Sequence, residues 1–351
     1  MKRITISVLL LFVFADNQAQ NNSKKYTIRT VAFYNLENLF DTINDPNTYD
    51  ESSPIMKIKG SKTAVYWDKI NNLATVISKI GLEKSNTSPA IIGVAEVENR
   101  TVLEDLIRTE FLKDKGYEII HYQSPDKRGI DVALLYQKRF FKPIYHEAFN
   151  PNIYQENRRV YTRDQLLVSG YLDDELIHII VNHWPSRRGG VAKSRPLREK
   201  AAYQNTKIIQ QIRRTDVDAK IIIMGDFNDD PTNVSLKKVL KTKGTKTKAQ
   251  EGDLYNPFER FFKQGLNTSG YRDNINLFDQ ILVSSSLLKT KEKEVPSFKF
   301  FRASIFNKHF LITKKGRYKG YPFRSFSYGR YIGGYSDHYP VYVYLIKEVK
   351  E

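Results

Sequence analysis

The chain has 351 residues, 40% of them hydrophobic and 13% aromatic, which suffices for a sizeable packed core and excludes a disordered polymer. Lysine and arginine number 56 against 39 acidic residues, and the resulting net charge of +17 favours polyanionic partners: nucleic acid, an anionic membrane surface or an acidic polysaccharide. Cysteine is absent, which excludes disulfides, thiolate metal sites and a lipid-anchoring cysteine, so any metal must be held by oxygen or imidazole.

The chain opens with Lys2 and Arg3, an apolar run over 4–15 and a short polar stretch ending at Ala19. This is the pattern of a cleaved secretory signal over 1–19, too short to span a membrane as a stable helix. The mature chain is therefore expected to be exported, to the periplasm or beyond the cell, with no stable membrane anchor. No protein partner can be inferred. Residues 30–34 read as a buried strand, and the polar stretch 41–66 as an irregular insertion, functional or mobile. A helix follows over 67–80, with Ile70, Leu73, Ala74, Ile77 and Ile80 on one face. Further buried strands are expected over 90–95, 130–136 and 176–181. Ser194 caps a predicted helix running to about Arg214, with Leu197, Ala201, Ile208 and Ile212 inward. Strands at 220–224, 277–283 and 339–346 complete the set. The six lysines within 237–248 read as a solvated face. Strands and helices interleave with no dividing linker, so 20–351 reads as one domain with a mixed-sheet core and helices outside.

A second insertion is expected at 298–335, which holds twelve Phe or Tyr, nine Lys or Arg and no acidic residue. Aromatic faces interleaved with cations suit a strand of nucleic acid. The same composition also fits a satellite cluster covering one end of the core, with solvated cations at its rim.

Polar groups flank nearly every predicted strand. Asn35 follows the first, Glu96 the second, His183 another, and Gly225-Asp226-Phe227-Asn228 closes 220–224. Asp279 lies near the start of 277–283, and Ser336-Asp337-His338 just precedes 339–346. In a mixed sheet the ends of strands running one way share an edge with the starts of strands running the other, so these groups are expected to converge. Taken singly, each is an ordinary turn former or loop residue. Beside His183 lie Arg187, Arg188, Arg195 and Arg198, candidates to grip phosphate or, alternatively, partners in structural ion pairs. Asp131, after Arg128-Gly129-Ile130, is placed to help align the site.

The ordered set resembles the endonuclease/exonuclease/phosphatase superfamily, from Asn35 to Pro340. Its most specific pieces are Gly225-Asp226-Phe227-Asn228 and Ser336-Asp337-His338-Tyr339-Pro340. The stretches Phe33-Tyr34-Asn35-Leu36-Glu37-Asn38-Leu39-Phe40 and Asn182-His183-Trp184-Pro185-Ser186 look like those of a secreted bacterial subgroup. The resemblance implies an α+β, four-layer αββα sandwich of the deoxyribonuclease I type, two packed mixed sheets flanked by helices. It implies a divalent-metal site at Glu96 with Asn35 and Asp337, suited to Mg2+, with Mn2+ or Ca2+ as alternatives. Asp226 would orient or deprotonate water, and Asn228 would hold phosphate or water. His338, fixed by Asp279, would donate to a phosphate oxygen, and His183 would serve as general acid. The implied activity is phosphodiester hydrolysis, with nucleic acid as substrate. A sphingomyelinase-like phospholipid phosphodiesterase, a sugar or inositol phosphatase and a non-catalytic polyanion-binding protein are the alternatives.

Overall fold

The computed structural model describes residues 25–271, 274–288 and 296–349, so the expected signal over 1–19 lies outside the described residues. The first half contributes strands β1 (Tyr26–Leu39), β2 (Ile91–Val97), β3 (Tyr117–His121), β4 (Asp131–Gln137), β5 (Phe141–Phe149), β6 (Ile153–Gln155) and β7 (Arg158–Val160). Next come β8 (Gln165–Leu172), β9 (Glu175–His183), β10 (Ile221–Asp226), β11 (Leu254–Tyr255), β12 (Ser269–Tyr271) and β13 (Asn274–Asn276). The chain ends with β14 (Asp279–Ser284), β15 (Lys299–Ile305), β16 (Phe326–Ser327), β17 (Arg330–Tyr331) and β18 (Val341–Glu348). The helices are α1 (Lys62–Lys79), α2 (Leu82–Ser85), α3 (Arg100–Arg108), α4 (Val191–Thr215) and α5 (Phe258–Lys263).

Two six-stranded mixed sheets carry the fold, in the orders β15-β18-β1-β2-β4-β3 and β11-β14-β10-β9-β8-β5. Alternation along each central strand decides what faces what. Val31 and Phe33 of β1 point into the core between the sheets, where they join Val181, Met224, Ile281 and Val343. Ala32 and Tyr34 point the other way, into a layer with Ile70, Leu73 and Ile77 of α1 and Leu103 and Leu106 of α3. On the far side, Ile180, Ile221 and Ile223 pack against Ala201, Ile208 and Ile212 of α4. The result is the expected four-layer αββα sandwich. Strands buried on both faces explain why they read in sequence as unbroken apolar runs.

Several local expectations differ. Helix α1 starts at Lys62, capped by Ser61, whose side chain accepts from the Ala64 amide, so 62–66 belongs to the helix and not to the irregular stretch. Helix α4 starts at Val191 behind Gly190, whose φ of 107° only glycine adopts readily; Ser194 lies inside the first turn and donates to the Gly190 carbonyl at 2.7 Å. Lys299–Ile305, within the expected 298–335 insertion, is strand β15 at the edge of the first sheet, and 306–335 follows it. Within it Phe306 and Phe326 are buried, as are Phe298 and Phe300 before it, so most of these aromatics pack, while Tyr328 is 88% exposed. Among the described residues no helix is long and apolar enough to cross a membrane.

Candidate active site

Strand polarity builds the site. Strand β1 runs parallel to β2 and antiparallel to β18, and β10 runs parallel to β9 and antiparallel to β14. The C-terminal ends of β1, β2, β9 and β10 therefore meet the starts of β14 and β18 at one edge of the sandwich. Asn35, Glu96, His183 and Asp226 come from strand ends, and Asp279 and His338 from the opposing starts. The Asn35 amide joins the two sheets: its Nδ2 donates to Glu96 Oε1 and to Asp226 Oδ2, each at 3.2 Å. Gly225 lets β10 approach β9, since a Cβ there would sit 2.4 Å from the Asn182 carbonyl oxygen.

Asp226 and Asp279 are direct cross-strand neighbours, and His338 stands between them. Its Nδ1 is 2.7 Å from Asp279 Oδ2, and its Nε2 is 3.9 Å from Asp226 Oδ2. Burial opposes charge on this imidazole, but the Asp279 carboxylate, with Asp226 and Asp337 beyond, outweighs it and holds His338 well above the usual histidine range. The surrounding carboxylates thus favour its protonated form. Asp226 is fully buried, and burial, with Asp279 adding to it and His338 opposing, pushes its carboxyl up to about 7.

His183 differs. Its Nε2 lies 3.6 Å from Asp226 and 3.8 Å from Glu96, yet burial, with Arg163, Arg128 and His338 adding, drives its pKa well below the usual value. A neutral imidazole has one N–H donor and one acceptor nitrogen, so it can exchange hydrogen bonds with a ligand at this edge. The Asn228 Nδ2 donates to the Trp184 carbonyl at 3.0 Å, and its backbone amide donates to Asp226 Oδ1 at 2.9 Å. Glu37, Glu96 and Asn228 all have left-handed backbone, φ 49°, 60° and 49°, and bulges interrupt β1 at 35–39 and β2 at 95–97. Such conformations persist only where the surroundings enforce them, and here they aim side chains at the edge.

The expected metal set is only partly assembled. Glu96 is mostly covered, its side chain 17% exposed, and accepts from Asn35 and, at 2.8 Å, from the Asn38 amide. Asn35 Oδ1, however, is engaged by the Glu37 amide at 2.9 Å. Asp337 is bound by Arg324, Nη2 to Oδ2 at 2.6 Å. Glu37 is a site residue the sequence reading passed over, though an acid two residues beyond Asn35 was its signal. Burial and then Asp337 raise its carboxyl to about 7, against Lys69 and Arg324. The carboxylate of Asp226 thus has only imidazoles as cationic neighbours, in an environment of oxygen and imidazole. That donor chemistry fits a hard divalent cation. Asp226, Asp279 and His338 also place ligand atoms within 4.8 Å of one another.

The four arginines separate. Arg198, 0% exposed, pairs with Asp229 at 2.7 Å and donates to Ser194 Oγ, so it is a structural residue and cannot reach a substrate phosphate. Arg187 binds Asp230 at 2.9 Å and the Asn228 carbonyl at 3.0 Å, and stacks on Phe278, which makes it a brace for the Asn228 turn. Arg195 is exposed and pairs with Glu199 one helical turn on. Arg188 is exposed next to the glycines of the loop. Asp131 accepts from the Ser124 amide and hydroxyl and meets His121 Nε2 at 2.8 Å.

The model of the Endonuclease/Exonuclease/phosphatase family matches residues 30–347. Members of that family are phosphoester hydrolases that generally depend on a divalent metal. No curated protein matches the sequence. Among solved structures, an endonuclease/exonuclease/phosphatase family protein from Bacteroides thetaiotaomicron is 18% identical with a TM-score of 0.54, covering 93% of this chain and 100% of its own. A mannosyl-6-phosphatase of Bacteroides thetaiotaomicron VPI-5482 is 17% identical with a TM-score of 0.53, covering 90% and 99%. D. rerio TDP2 complexed with a single-strand DNA product is 14% identical with a TM-score of 0.53, covering 91% and 99%. With a family match spanning nearly all of the described residues, and the two-sheet sandwich shared with these structures, this chain belongs to the endonuclease/exonuclease/phosphatase family.

Proposed function

We propose that this chain is an exported phosphodiesterase that hydrolyses nucleic acid with a divalent cation, Mg2+ first among the hard ions. The observation that carries the reading is the edge where buried Asp226, raised to about 7, faces the His338–Asp279 pair across 3.9 Å. A carboxylate poised near neutrality accepts a proton from attacking water, and an imidazolium held by Asp279 donates to a non-bridging phosphate oxygen as charge develops. His183, neutral, gives or takes one hydrogen bond at the same phosphate. Asn35 keeps Glu96 and Asp226 in register across the two sheets. The cation, when bound by Glu96 and its neighbouring carboxylates, supplies neutralisation of the phosphate and activation of water.

The net charge of +17 and the exposed cations Arg188, Arg317 and Arg330 support a polyanionic substrate. Tyr328, exposed between Ser327 and Gly329 in the β16–β17 turn, supplies a stacking face. Export rests on the composition of residues 1–19. The packing of most aromatics in 298–335 favours one second reading, a phosphatase of small phosphate esters, because a long strand then has fewer platforms to lie on. A membrane-dipping phospholipid phosphodiesterase fits less well, since the exposed part of this segment carries Lys314, Lys315 and Arg317.

The test is a gel assay of the purified chain on closed-circular DNA, linear DNA and RNA, with Mg2+, Mn2+, Ca2+ or EDTA. Metal-dependent cleavage is expected, reduced about 10²–10⁴-fold in Asp226→Ala. Full activity in that variant overturns the site, and intact nucleic acid with turnover of small esters selects the phosphatase reading.

A further inference from the structure

The 306–335 segment delivers Arg324 to the catalytic edge, and the hydrolysis proposed above makes no use of it. Arg324 Nη2 lies 2.6 Å from Asp337 Oδ2, and its Nε lies 3.4 Å from Glu37 Oε1. Both acids belong to the edge. The Glu37 amide donates to Asn35 Oδ1 at 2.9 Å, and Asn35 is the residue that joins Glu96 to Asp226. Asp337 precedes His338, and Ser336 before it donates to the Asn35 carbonyl at 2.7 Å. Among the described residues, Arg324 is the one Lys or Arg in ion-pair range of either carboxylate. Buried Lys69 donates instead to the Glu37 backbone carbonyl and to Ser325 Oγ.

Fixed backbone carries this guanidinium, unlike a surface side chain that drifts in and out of a pair. The Phe323 carbonyl accepts from the Tyr335 amide at 2.7 Å, and that of Ser325 from the Ile332 amide at 2.9 Å, so Arg324 sits in a doubled-back stretch. Gly334 lies so close that a Cβ there would sit 2.0 Å from the Arg324 carbonyl oxygen. The Ser325 amide donates to Glu37 Oε2 at 2.6 Å, tying the same stretch to one of the two acids. The Arg324 backbone is thus held, while its side chain, 40% exposed, can swing its far end away from Asp337. A divalent cation at this edge needs carboxylate oxygens, and the guanidinium already matches two of them. Two positive centres on the same carboxylates repel each other.

We propose that Arg324 is a resident counter-cation: it shares Glu37 and Asp337 with the divalent cation, and binding of the cation requires release of its bond to Asp337. Arg324 thereby lowers the affinity of the edge for divalent ions and raises the concentration at which they bind. The proposal rests on the metal-dependent reading above and deepens it by naming the residue that regulates the metal site. Mn2+ binding to the purified chain, read by electron paramagnetic resonance without turnover, compares the parent with Arg324→Met and Arg324→Lys, and Glu96→Gln marks the signal that belongs to the edge. Arg324→Met is expected to bind Mn2+ about tenfold tighter than the parent. Arg324→Lys, a point charge that cannot span both acids, is expected to bind it about threefold tighter. Near-UV circular dichroism checks the fold, and the lysine variant decides if the methionine variant does not fold. Unchanged affinity in the folded variants overturns the proposal, and so does weaker affinity, the result of a guanidinium that only orients Asp337 as a ligand. Either result leaves the metal-dependent reading standing as long as the parent binds Mn2+ through Glu96. If the parent shows no such binding, its appearance in Arg324→Met supports the counter-cation, and its absence from every chain overturns both readings.

Discussion

Two regions of this protein bury carboxylates, and they treat them in opposite ways. Behind the edge, several buried acids meet a guanidinium: Asp229 with Arg198 at 2.7 Å, Asp126 with Arg163 at 3.0 Å, Asp230 with Arg187 at 2.9 Å. At the edge itself, Asp226 has only imidazoles within ion-pair range, at 3.6 and 3.9 Å, and no Lys or Arg among the described residues. A paired buried charge holds the scaffold in register. An unpaired one costs free energy in the resting protein and is tolerated where a ligand completes the balance, which under the proposed function is a divalent cation. The difference also sorts the arginines that cluster in sequence next to His183, since proximity in the chain does not say which of them a carboxylate has already engaged.

The sharpest way to break this comparison is to unpair a scaffold charge. Arg198→Met removes a fully buried guanidinium and leaves Asp229 the longer ion pair with Arg187 at 3.5 Å, so unfolding free energy is expected to fall by up to about 3–5 kcal/mol. Urea denaturation measures it, and KM of the surviving folded fraction is expected to stay at its parent value. A raised KM with undiminished stability would return Arg198 to the substrate-binding group.

A smaller effect separates the edge by its titration. An unfolded Asp titrates near 3.9, whereas folded Asp226 titrates at about 7, so between these values the folded state holds the extra proton. The contribution to stability is therefore full below about pH 4 and is lost as pH rises through 7. In EDTA the melting temperature is expected to fall across this window, less steeply in Asp226→Asn. Excess Mg2+ is expected to recover the parent's loss near pH 7.5, because a bound cation favours the ionised carboxylate. Identical slopes for parent and variant in EDTA would mean that Asp226 is not carrying unneutralised charge.

The parts of this architecture that were legible in sequence share one property: local pattern mirrors burial. Strands β1, β2, β4, β9, β10, β14 and β18 are covered on both faces along their central residues, so they read as short apolar runs. Strand β5 did not, because at the sheet edge it carries Pro143 and Glu147 with much of its surface exposed. Strand β15 hid inside an aromatic and basic stretch whose composition suited a surface as well as a sheet. The meeting of Asn35, Glu96, His183, Asp226, Asp279 and His338 at one edge follows from strand direction, which sequence order and element alternation constrain. Glu37 and its partner Arg324 were out of reach for a different reason. They are 287 residues apart, and the β16–β17 segment that brings them together closes through Ser325, whose amide donates to Glu37 Oε2 at 2.6 Å. No periodicity in the chain encodes that contact.

The smallest expected effect tests the one arginine of the four that the scaffold leaves available. Arg188 is exposed in the loop after His183, two residues before the glycine that starts α4, and it forms no ion pair among the described residues. Its replacement by alanine removes no packing, so stability is expected to change by no more than about 0.5 kcal/mol. A cation that meets a backbone phosphate contributes about one unit to the slope of log affinity against log salt. Arg188→Ala is expected to flatten that slope for single-stranded nucleic acid by about this amount, measured by fluorescence anisotropy over a salt series. Arg195→Ala, whose charge is already matched by Glu199 at 3.2 Å, is expected to change it less. If both variants flatten the slope equally, the pairing seen on the helix surface does not decide which cations bind. The separation of available from engaged arginines would then hold only for those that are buried.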